Sequence, residues 1–445
     1  MRLALITKPD SRKSLILVLL VLSIAINYVD RTSLSIAAPS VSTELSLSPT
    51  QMGVLLSSFF WSYASFMILA GWLADSYGVR WVLGIGFLVW SLATLATGFA
   101  TSFGMLLGFR LMLGMGESAA FPSYSKVIAT EFPSHLRGFP NALIDAGSKI
   151  GPGLGMLVGG FLLAAHGWRM LFFILGVSSL GWLVLWFKWS PRNETPRSKN
   201  YEHGPGILEI LGKRDALGTF IGNGCMSYAA NFLLTWLPSY LIDKRHLSLN
   251  MTAIWSAVPF AVAAATSLAA GYLSDRWITG GITPTRVRKG IAIAGLLGMT
   301  LMLPLVMVEN LRVAIALLIG VYIANGLFSS NYWAITQTLA GPYAAGKWTG
   351  LQNTSNSVTA LIAPLMTGII VSKTGSYFLA FLSCAVLAVI GAASYAFIVG
   401  PIVPVAWKRS RANTERFDPI SFSEVAPASR GEAGGGKTEG SEGVG

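Results

Sequence analysis

The stretch Gly71-Trp-Leu-Ala-Asp75-Ser-Tyr-Gly78-Val-Arg80 follows a long apolar segment, and a similar stretch recurs later in the chain. The second copy, Gly271-Tyr-Leu-Ser-Asp275-Arg276, also follows an apolar segment, and the basic residues Arg286, Arg288 and Lys289 come after it. The two aspartates are 200 residues apart, so each copy occupies the same place in its own half of the chain. The repeat therefore predicts a fold built from a duplicated unit.

The composition places this duplicated unit in a membrane. The chain has 445 residues, 53% of them hydrophobic and 12% charged, with a mean hydropathy of +0.59. Soluble proteins carry about 25% charged residues, so much of this surface is expected to face lipid. A soluble enzyme, a secreted disulfide scaffold and a disordered chain are excluded. Cys225 and Cys384 lie within apolar runs and predict neither a disulfide nor a metal site.

Twelve apolar segments can each form a spanning helix of about 20 residues. They lie at about 15–40, 51–74, 81–101, 103–128, 139–165, 168–190, 215–242, 250–274, 287–309, 311–336, 345–372 and 376–402. The first segment follows basic residues, as in a signal peptide, but it continues through Asn27–Arg31, so we expect it to be retained. We predict an all-α membrane protein with two pseudo-symmetric six-helix bundles.

Polar stretches flank and separate the two bundles. Residues 191–214 contain three prolines and many charges, which predicts a cytoplasmic linker between bundles at 15–190 and 215–402. Residues 1–14 are expected to form a cytoplasmic N-terminal arm. The Gly/Glu/Ser-rich residues near the end of 403–445 predict a disordered cytoplasmic tail.

The net charge of +12 is explained by membrane orientation. With both termini on one face, 24 of the 32 Lys and Arg residues fall on that face, 5 on the opposite face and 3 within the membrane. This excess predicts cytoplasmic termini in a cell inner membrane. Because the basic residues are dispersed over loops, we expect no nucleic-acid partner, and we expect the protein to work as a monomer.

The repeated motif predicts a gate on the cytoplasmic face. Its glycines allow close helix approach, and its acidic and basic residues can form an ion-pair latch between helices, although ordinary loop charge is the alternative. The residues of this gate are Gly71, Asp75, Gly78, Arg80, Gly271, Asp275 and Arg276.

Six charged side chains lie well inside the predicted helices, all in the N-terminal half. They are Asp30, Arg31, Arg110, Glu117, Asp145 and Lys149. A charge at the bilayer centre costs about 2.5–3.5 kcal/mol on insertion scales, so each of these groups requires a reason. We expect the N-terminal half to supply the electrostatics of a cavity between the two halves.

Helical geometry separates the roles of the adjacent pair Asp30 and Arg31. The two side chains point about 100° apart, so Asp30 can face neighbouring helices while Arg31 faces the cavity, where its planar fork suits a carboxylate or sulfonate. Arg110 and Glu117 are seven residues apart, which leaves Arg110 able to pair with Asp30. Buried pairs that only lock the helices together are the alternative.

Asp145 and Lys149 allow two interpretations. They are four residues apart and can form a structural pair with each other. Alternatively, the small residues around Ser148 let Lys149 project into the cavity and meet a second anionic group.

The twelve segments, the paired motif and the basic linker resemble the major facilitator superfamily. Within it, Asn27-Tyr-Val-Asp-Arg31 and Arg110-Leu-Met-Leu-Gly-Met-Gly-Glu117-Ser-Ala-Ala-Phe-Pro122 resemble the anion:cation symporter family, whose members carry sugar acids, phthalate, tartrate, sulfoacetate and sialate. The resemblance covers about residues 15–402. It supports Asp30 and Glu117 as the proton-coupling residues and Arg31 as the ligand of the substrate anion.

The resemblance also implies further substrate contacts. Positions that match family contacts are Tyr28, Tyr63, Ser330, Trp333 and Asn353. Asn356 shares a helix face with Asn353, and hydrogen bonds between helices are the alternative role for these polar groups. Sugar-acid members tend to carry neutral polar side chains near position 149, so Lys149 departs from their pattern. This departure favours a compact substrate with two acidic groups.

The predicted function is secondary active import of a small organic anion with protons, through alternating access. A passive uniporter and a proton-coupled exporter are the alternatives. We expect neither an enzyme nor a cofactor or metal site, because the four histidines lie in or near loops without metal-ligand spacing and no Walker-type loop is present.

Overall fold

The computed structural model describes residues 11–191, 204–247 and 249–407. These ranges are almost entirely helical and contain no β-strand. The helices of the N-terminal half are α1 Ser11–Glu44, α2 Pro49–Tyr77, α3 Val79–Thr97, α4 Phe103–Glu117, α5 Ala120–Glu131 and α6 Gly138–Trp189. Those that follow are α7 Ile207–Leu211, α8 Arg214–Asp243, α9 Leu249–Thr279, α10 Gly290–Gly298, α11 Met302–Met307, α12 Leu311–Ala340, α13 Ala345–Thr374 and α14 Phe378–Ala393.

The helices supply twelve crossings. The fourth is α4 followed by α5, and the fifth and sixth are the two arms of α6, which meet at Gly167 with φ 77°. The ninth runs from a π-helical turn at Thr285–Lys289 through α10 and a 3₁₀ turn at Met299–Leu301 to α11. Eight helices in the described ranges are long and apolar enough to cross a membrane individually. One of these eight contains both arms of α6 and supplies two crossings. The remaining three crossings are α4 together with α5, then α8, and then α9.

Local sequence explains where several helices begin and end. Ser48 and Gln51 form a reciprocal capping box at the start of α2. Gly78, with φ 90°, separates α2 from α3, and Gly375, with φ 64°, ends α13. Both backbone conformations favour glycine.

The helices pack as two bundles. In the N-terminal bundle α1 lies on α6, α3 contacts α4 and α6, and α2 contacts α4. In the C-terminal bundle α9 packs on α12, and α8 packs on α13 and α14. The bundles meet along α2 with α13 and along α6 with α9. The predicted all-α architecture of the membrane protein is confirmed.

The ends of the two bundles differ in detail from the predicted arm, linker and tail boundaries. The structure starts α1 at Ser11, within the predicted arm, and places the short helix α7 within the predicted linker. The Val405 amide donates to the Leu339 carbonyl at 2.9 Å, so the first residues after 402 remain attached to α12. Residues 1–10 of the arm, 192–203 of the linker and 408–445 of the tail lie outside the described residues.

Candidate functional site

An ion pair between α1 and α4 lies at the centre of the N-terminal charges. The Arg31 guanidinium donates to Glu117 Oε2 from Nη2 at 2.8 Å and from Nε at 3.3 Å. It also donates to Asn27 Oδ1 at 3.2 Å, one helical turn away on α1. The Glu117 side chain is fully buried, whereas that of Arg31 is 16% exposed. The pair is therefore accessible only from the arginine side.

Three aromatic rings surround the guanidinium of Arg31. Its central carbon lies 4.8 Å from the ring centroid of Tyr28, 4.5 Å from Phe59 and 5.0 Å from Tyr63. Cation–π contact of this kind stabilises a guanidinium and holds its plane in place. Tyr28 and Tyr63 were expected here, but Phe59 was not, although its spacing of four residues from Tyr63 puts both rings on one face of α2.

The expected ion pair between Asp30 and Arg110 is not formed. Arg110 instead donates from Nε to the Leu55 carbonyl at 3.4 Å, and among the described residues no carboxylate lies within 4 Å of its nitrogens. Asp30 is buried, with Thr94 and Arg110 as its polar neighbours and no well-formed hydrogen bond to either oxygen. Asp30 faces a neighbouring helix, as expected, since its neighbour Thr94 lies on α3. Arg110 instead points towards α2.

A second charged cluster joins the two bundles. Lys149 Nζ contacts Asp145 Oδ2, and the hydroxyl of Ser329 on α12 donates to the same oxygen at 2.8 Å. Lys149 also donates to Ser329 Oγ at 3.2 Å. Ser148 donates to the Asp145 carbonyl at 2.7 Å and faces the Tyr28 hydroxyl. Both interpretations of the Asp145 and Lys149 pair are compatible with this arrangement, because the pair is formed and yet partly exposed.

Polar residues of the C-terminal bundle form a separate amide network. The Asn223 amide donates to Asn356 Oδ1 at 2.6 Å, and the Asn356 amide donates to Asn353 Oδ1 at 3.3 Å. The expected role of Asn356 in bonding between helices agrees with its contact with α8. Asn223 was not singled out from the sequence, since nothing local distinguishes it from other polar residues of the seventh span.

Two further expected contact residues on α12 differ in their surroundings. Trp333 stacks near Phe121 of α5, with ring centroids 5.8 Å apart, so it lies at the junction of the bundles. Ser330 is fully buried and its hydroxyl accepts from the Asn331 amide at 3.2 Å. The neighbouring Ser329, rather than Ser330, reaches the charged cluster, because consecutive helical residues point about 100° apart.

The motif aspartates bind the opposite bundle through backbone amides. Asp75 accepts from the amides of Gly346 at 3.1 Å and Lys347 at 2.8 Å, in the first turn of α13. Asp275 accepts from the amides of Gly138 at 2.9 Å and Phe139 at 2.8 Å, in the first turn of α6. Each carboxylate therefore caps a helix of the other bundle, where the helix dipole favours negative charge.

One cation of the latch, Arg288, belongs to the basic residues that follow the second motif, whereas the other, Lys126, lies outside the motif. Asp75 pairs with Lys126 at 3.2 Å, and Asp275 pairs with Arg288 at 3.3 Å. Arg80 instead donates to Ser190 and the Phe187 carbonyl, and Arg276 is exposed. The structure thus joins Asp75 and Asp275 to Lys126 and Arg288, and it directs Arg80 towards Phe187 and Ser190 at the end of α6.

The motif glycines lie where the bundles touch. A Cβ atom on Gly71 would collide with the Gly346 carbonyl oxygen. A Cβ atom on Gly271 would lie 2.6 Å from the Gly138 carbonyl oxygen. Further hydrogen bonds between the bundles lie nearby, from Asn141 to Gln337 at 2.9 Å and from Thr349 to Ser125 at 2.7 Å. We call this end of the molecule, where the linker also lies, the linker end. It is closed in this structure.

An apolar groove of about 500 Å³ lies away from these charged groups. Its lining comes from α2, α3 and α4 and includes Phe66, Leu73 and Trp81, with no charged side chain. Such a surface suits lipid chains rather than an anion. Within the described ranges, no group of His, Cys, Asp or Glu has the geometry of a metal site.

Comparison with known proteins agrees with this arrangement. The model of the Major Facilitator Superfamily matches residues 20–364. The chain is 32% identical over 411 residues to a protein of Cupriavidus necator named a probable sulfoacetate transporter, covering 88% of this chain and 95% of that protein. It is 30% identical over 425 residues to a hexuronate transporter of Bacillus subtilis, covering 92% of this chain and 98% of that protein.

A solved structure shows the same fold. The proton:xylose symporter XylE, bound to 6-bromo-6-deoxy-D-glucose, superposes with a TM-score of 0.73 at 16% identity, covering 90% of this chain and 99% of XylE. The relatives are transporters rather than enzymes. The chain belongs to the major facilitator superfamily, and it is an integral membrane transporter related to carriers of organic acids.

Proposed function

We propose that the protein imports a small organic anion together with protons by alternating access. The observation that carries this proposal is the Arg31–Glu117 pair, whose arginine is partly exposed within a ring of aromatic side chains. A carboxylate or sulfonate can approach the guanidinium from its exposed side. It then competes with Glu117 for the same donors.

Proton coupling follows from this competition. A proton on Glu117 removes its charge, weakens its hold on Arg31 and leaves the arginine for the substrate. Asp30 is the second proton-coupling group in this proposal, since it is buried beside Arg110 without a strong partner. Importing an anion against the membrane potential costs about 2.3 kcal/mol per charge per 100 mV, so more protons than substrate charges must enter.

We propose a compact substrate with two acidic groups. Arg31 would hold one group and Lys149 the other, with Tyr28, Tyr63 and Ser148 beside them. Trp333, Asn353 and Ser330 of the C-terminal bundle would complete the site, Ser330 only after a movement that exposes it. The relative named for sulfoacetate, a molecule with one carboxylate and one sulfonate, supports this choice.

The proposed membrane orientation places the linker end in the cytoplasm of a cell with an inner membrane. The excess of Lys and Arg on that face supports this orientation. Because the bundles are latched there, the structure would correspond to an outward-facing conformation. We propose that one polypeptide contains the whole pathway, because both bundles that enclose the site come from a single chain.

Proteoliposomes containing the Glu117→Gln variant test this function. Wild-type protein should accumulate sulfoacetate, glucarate or galactonate when a pH gradient is imposed, and should exchange the same anion by counterflow. Glutamine mimics the protonated carboxyl, so we expect counterflow to persist and gradient-driven accumulation to disappear. Glu44→Gln, in an exposed pair with Arg169 at the opposite end, is the matched control and should behave as wild type.

The outcomes separate the alternatives. Unchanged proton-driven accumulation by Glu117→Gln would show that this carboxylate does not couple the fluxes. Wild-type uptake that ignores the pH gradient would indicate a passive uniporter, and substrate extrusion driven by inward proton flow would indicate an exporter. If none of the three anions is exchanged, the assigned substrate class is wrong.

A further inference from the structure

The Asp145–Lys149 pair resembles the Arg31–Glu117 pair in its accessibility. The side chains of Lys149 and Asp145 are 12% and 11% exposed, close to the 16% of Arg31. The pair is therefore neither sealed between helices nor freely solvated. Unlike the Arg31 pair, it also touches the other bundle, through the hydroxyl of Ser329.

The Tyr28 side chain lies near both pairs. The Tyr28 side chain on α1 interacts electrostatically with Arg31 and Glu117 and also with Asp145. Tyr332 on α12 interacts with Asp145 and with Tyr28. Asp145 thus has titratable neighbours on three helices, which are Lys149 on its own helix, Tyr28 on α1 and Tyr332 on α12. An anion held by Arg31 can extend towards Lys149 past the Tyr28 ring.

The partner of Lys149 limits what this lysine can do for an anion. A lysine paired with a carboxylate is neutral as a unit, so an incoming acid gains little attraction from it. The attraction becomes available only when the carboxylate leaves or is neutralised. Asp145 thus occupies the position, next to Lys149, that a second acidic group of the substrate would need.

We propose that Asp145 and Lys149 form a second loading site, in which one acidic group of a two-acid substrate replaces Asp145 on Lys149 and the released Asp145 binds a proton. The proposal rests on the organic-anion transport proposed above. The new O–H bond forms on Asp145 with a proton from the side that substrate enters, and Lys149 keeps its charge. One negative group and one proton enter together, so the net charge of the site does not change.

Ser329 links this exchange to the movement of the bundles. Its hydroxyl donates to the charged Asp145 and thereby ties α12 to α6. A hydrogen bond to a neutral carboxyl is weaker than one to a carboxylate, so protonation of Asp145 loosens the tie. A one-acid substrate engages Arg31 alone and leaves this contact intact. The loading site therefore selects for substrates with two acidic groups.

Counterflow measurements with two probes test the proposal. Sulfoacetate serves as the two-acid probe and galactonate as the one-acid probe. Asp145→Asn removes the competing charge, so the half-saturating concentration of sulfoacetate should fall severalfold, whereas Lys149→Gln should raise it by about tenfold or more. For galactonate both variants should shift the half-saturating concentration by a smaller factor than for sulfoacetate, so the ratio of the two values is the readout.

The proton count gives an independent readout. At zero membrane potential, the logarithm of the accumulation ratio rises with the pH gradient with a slope equal to the number of coupled protons. Asp145→Asn should lower the slope for sulfoacetate by one, and the Glu44→Gln control should leave it unchanged. The double variant Asp145→Asn with Lys149→Gln keeps the local charge balanced, so it can replace a single variant that fails to fold. Its half-saturating concentrations for sulfoacetate and galactonate should differ less than those of the wild type.

A structural role gives a different pattern. If Asp145→Asn and Lys149→Gln both weaken exchange of both probes to the same extent, or if the slope for sulfoacetate is unchanged, the loading site is overturned while anion transport stands. If wild-type protein exchanges neither probe nor glucarate, the transport function itself fails, and this inference fails with it.

Discussion

At the residue scale, the N-terminal charges include a cation with several partners and an acid without a well-formed hydrogen bond. Arg31 is shared between Glu117, Asn27 and aromatic rings. Asp30, the preceding residue on α1, is buried beside Thr94 and Arg110 and has no well-formed hydrogen bond. Burying a polar group without a partner costs about 1–3 kcal/mol. A group kept at such a cost is expected to serve a function.

Replacement of Asp30 by asparagine tests this interpretation. We expect Asp30→Asn to unfold in detergent at the same temperature as wild type or a higher one, because the variant no longer buries an unsatisfied acid. Proton-driven accumulation of the anion should nevertheless be abolished while counterflow remains. Thermal unfolding of the purified protein and uptake by proteoliposomes provide the two measurements. A clearly lower unfolding temperature together with intact proton coupling would show that Asp30 is a structural residue.

The sequence predicted the residues of this site better than their partners. Helical spacing placed Asp145 and Lys149 within reach of each other and turned Asp30 away from Arg31, but it left open whether the Asp145–Lys149 pair is structural or part of the substrate site. It could not pair Arg31 with Glu117, because those residues lie on α1 and α4 and their contact depends on how the helices pack. It also could not decide between Ser329 and Ser330, since the choice depends on the rotation of α12 against α6.

At the scale of helices, the closed end is held by two capping interactions related by the internal repeat. Asp75 caps α13, and Asp275 caps α6. An aspartate cap contributes about 0.5–2 kcal/mol, and close backbone contacts at Gly71 and Gly271 accompany the two caps. The repeat revealed these residues, but a sequence does not show that a carboxylate caps a helix 137 or 271 residues away.

Adding one methyl group at the crossing of α2 and α13 should open the linker end. In Gly71→Ala, the new Cβ would meet the Gly346 carbonyl oxygen, and overpacking of this kind costs about 1–3 kcal/mol. That cost applies only to the closed form, so the open form should become about fivefold more populated or more. The labelling rate of a cysteine placed at Ser125, in a background without Cys225 and Cys384, reports the opening.

A glycine elsewhere on α2 is the matched control for this change. Gly53 has no atom within 4 Å of an added Cβ, so Gly53→Ala should label at the rate of the parent protein. Equal labelling of both alanine variants would mean that the glycine crossing does not hold the linker end closed.

At the scale of the whole molecule, the asymmetry of charge between the two faces determines how the fold sits in the membrane. Lys244 and Thr283 are exposed residues at opposite ends of the bundles. A cysteine at position 244 should react with a membrane-impermeant maleimide added to intact cells. A cysteine at position 283 should react only after permeabilisation, because the basic linker end is retained in the cytoplasm. The reverse pattern would invert the assigned topology and the direction of transport.

The overall architecture was the most predictable property of the chain. The spans and the repeat follow from apolar length and motif spacing, which are read directly along a sequence, and the proposed orientation rests on the distribution of Lys and Arg. The positions where the fold departs from that simple pattern depend on packing. Glu117 ends α4, and the crossing then continues as α5 after a short break. The fifth and sixth spans are joined at Gly167 without an intervening loop.

The junction at Gly167 has a mechanical consequence. The inner arm of α6 carries Asp145 and Lys149, while the outer arm begins with Trp168 and Arg169, which are tied to Glu44. The connector is a single glycine, so the two arms join without an intervening loop. Because the inner and outer arms of α6 also pack against α1 and α3, we expect a shift of the lysine-bearing arm to move these neighbouring helices with it.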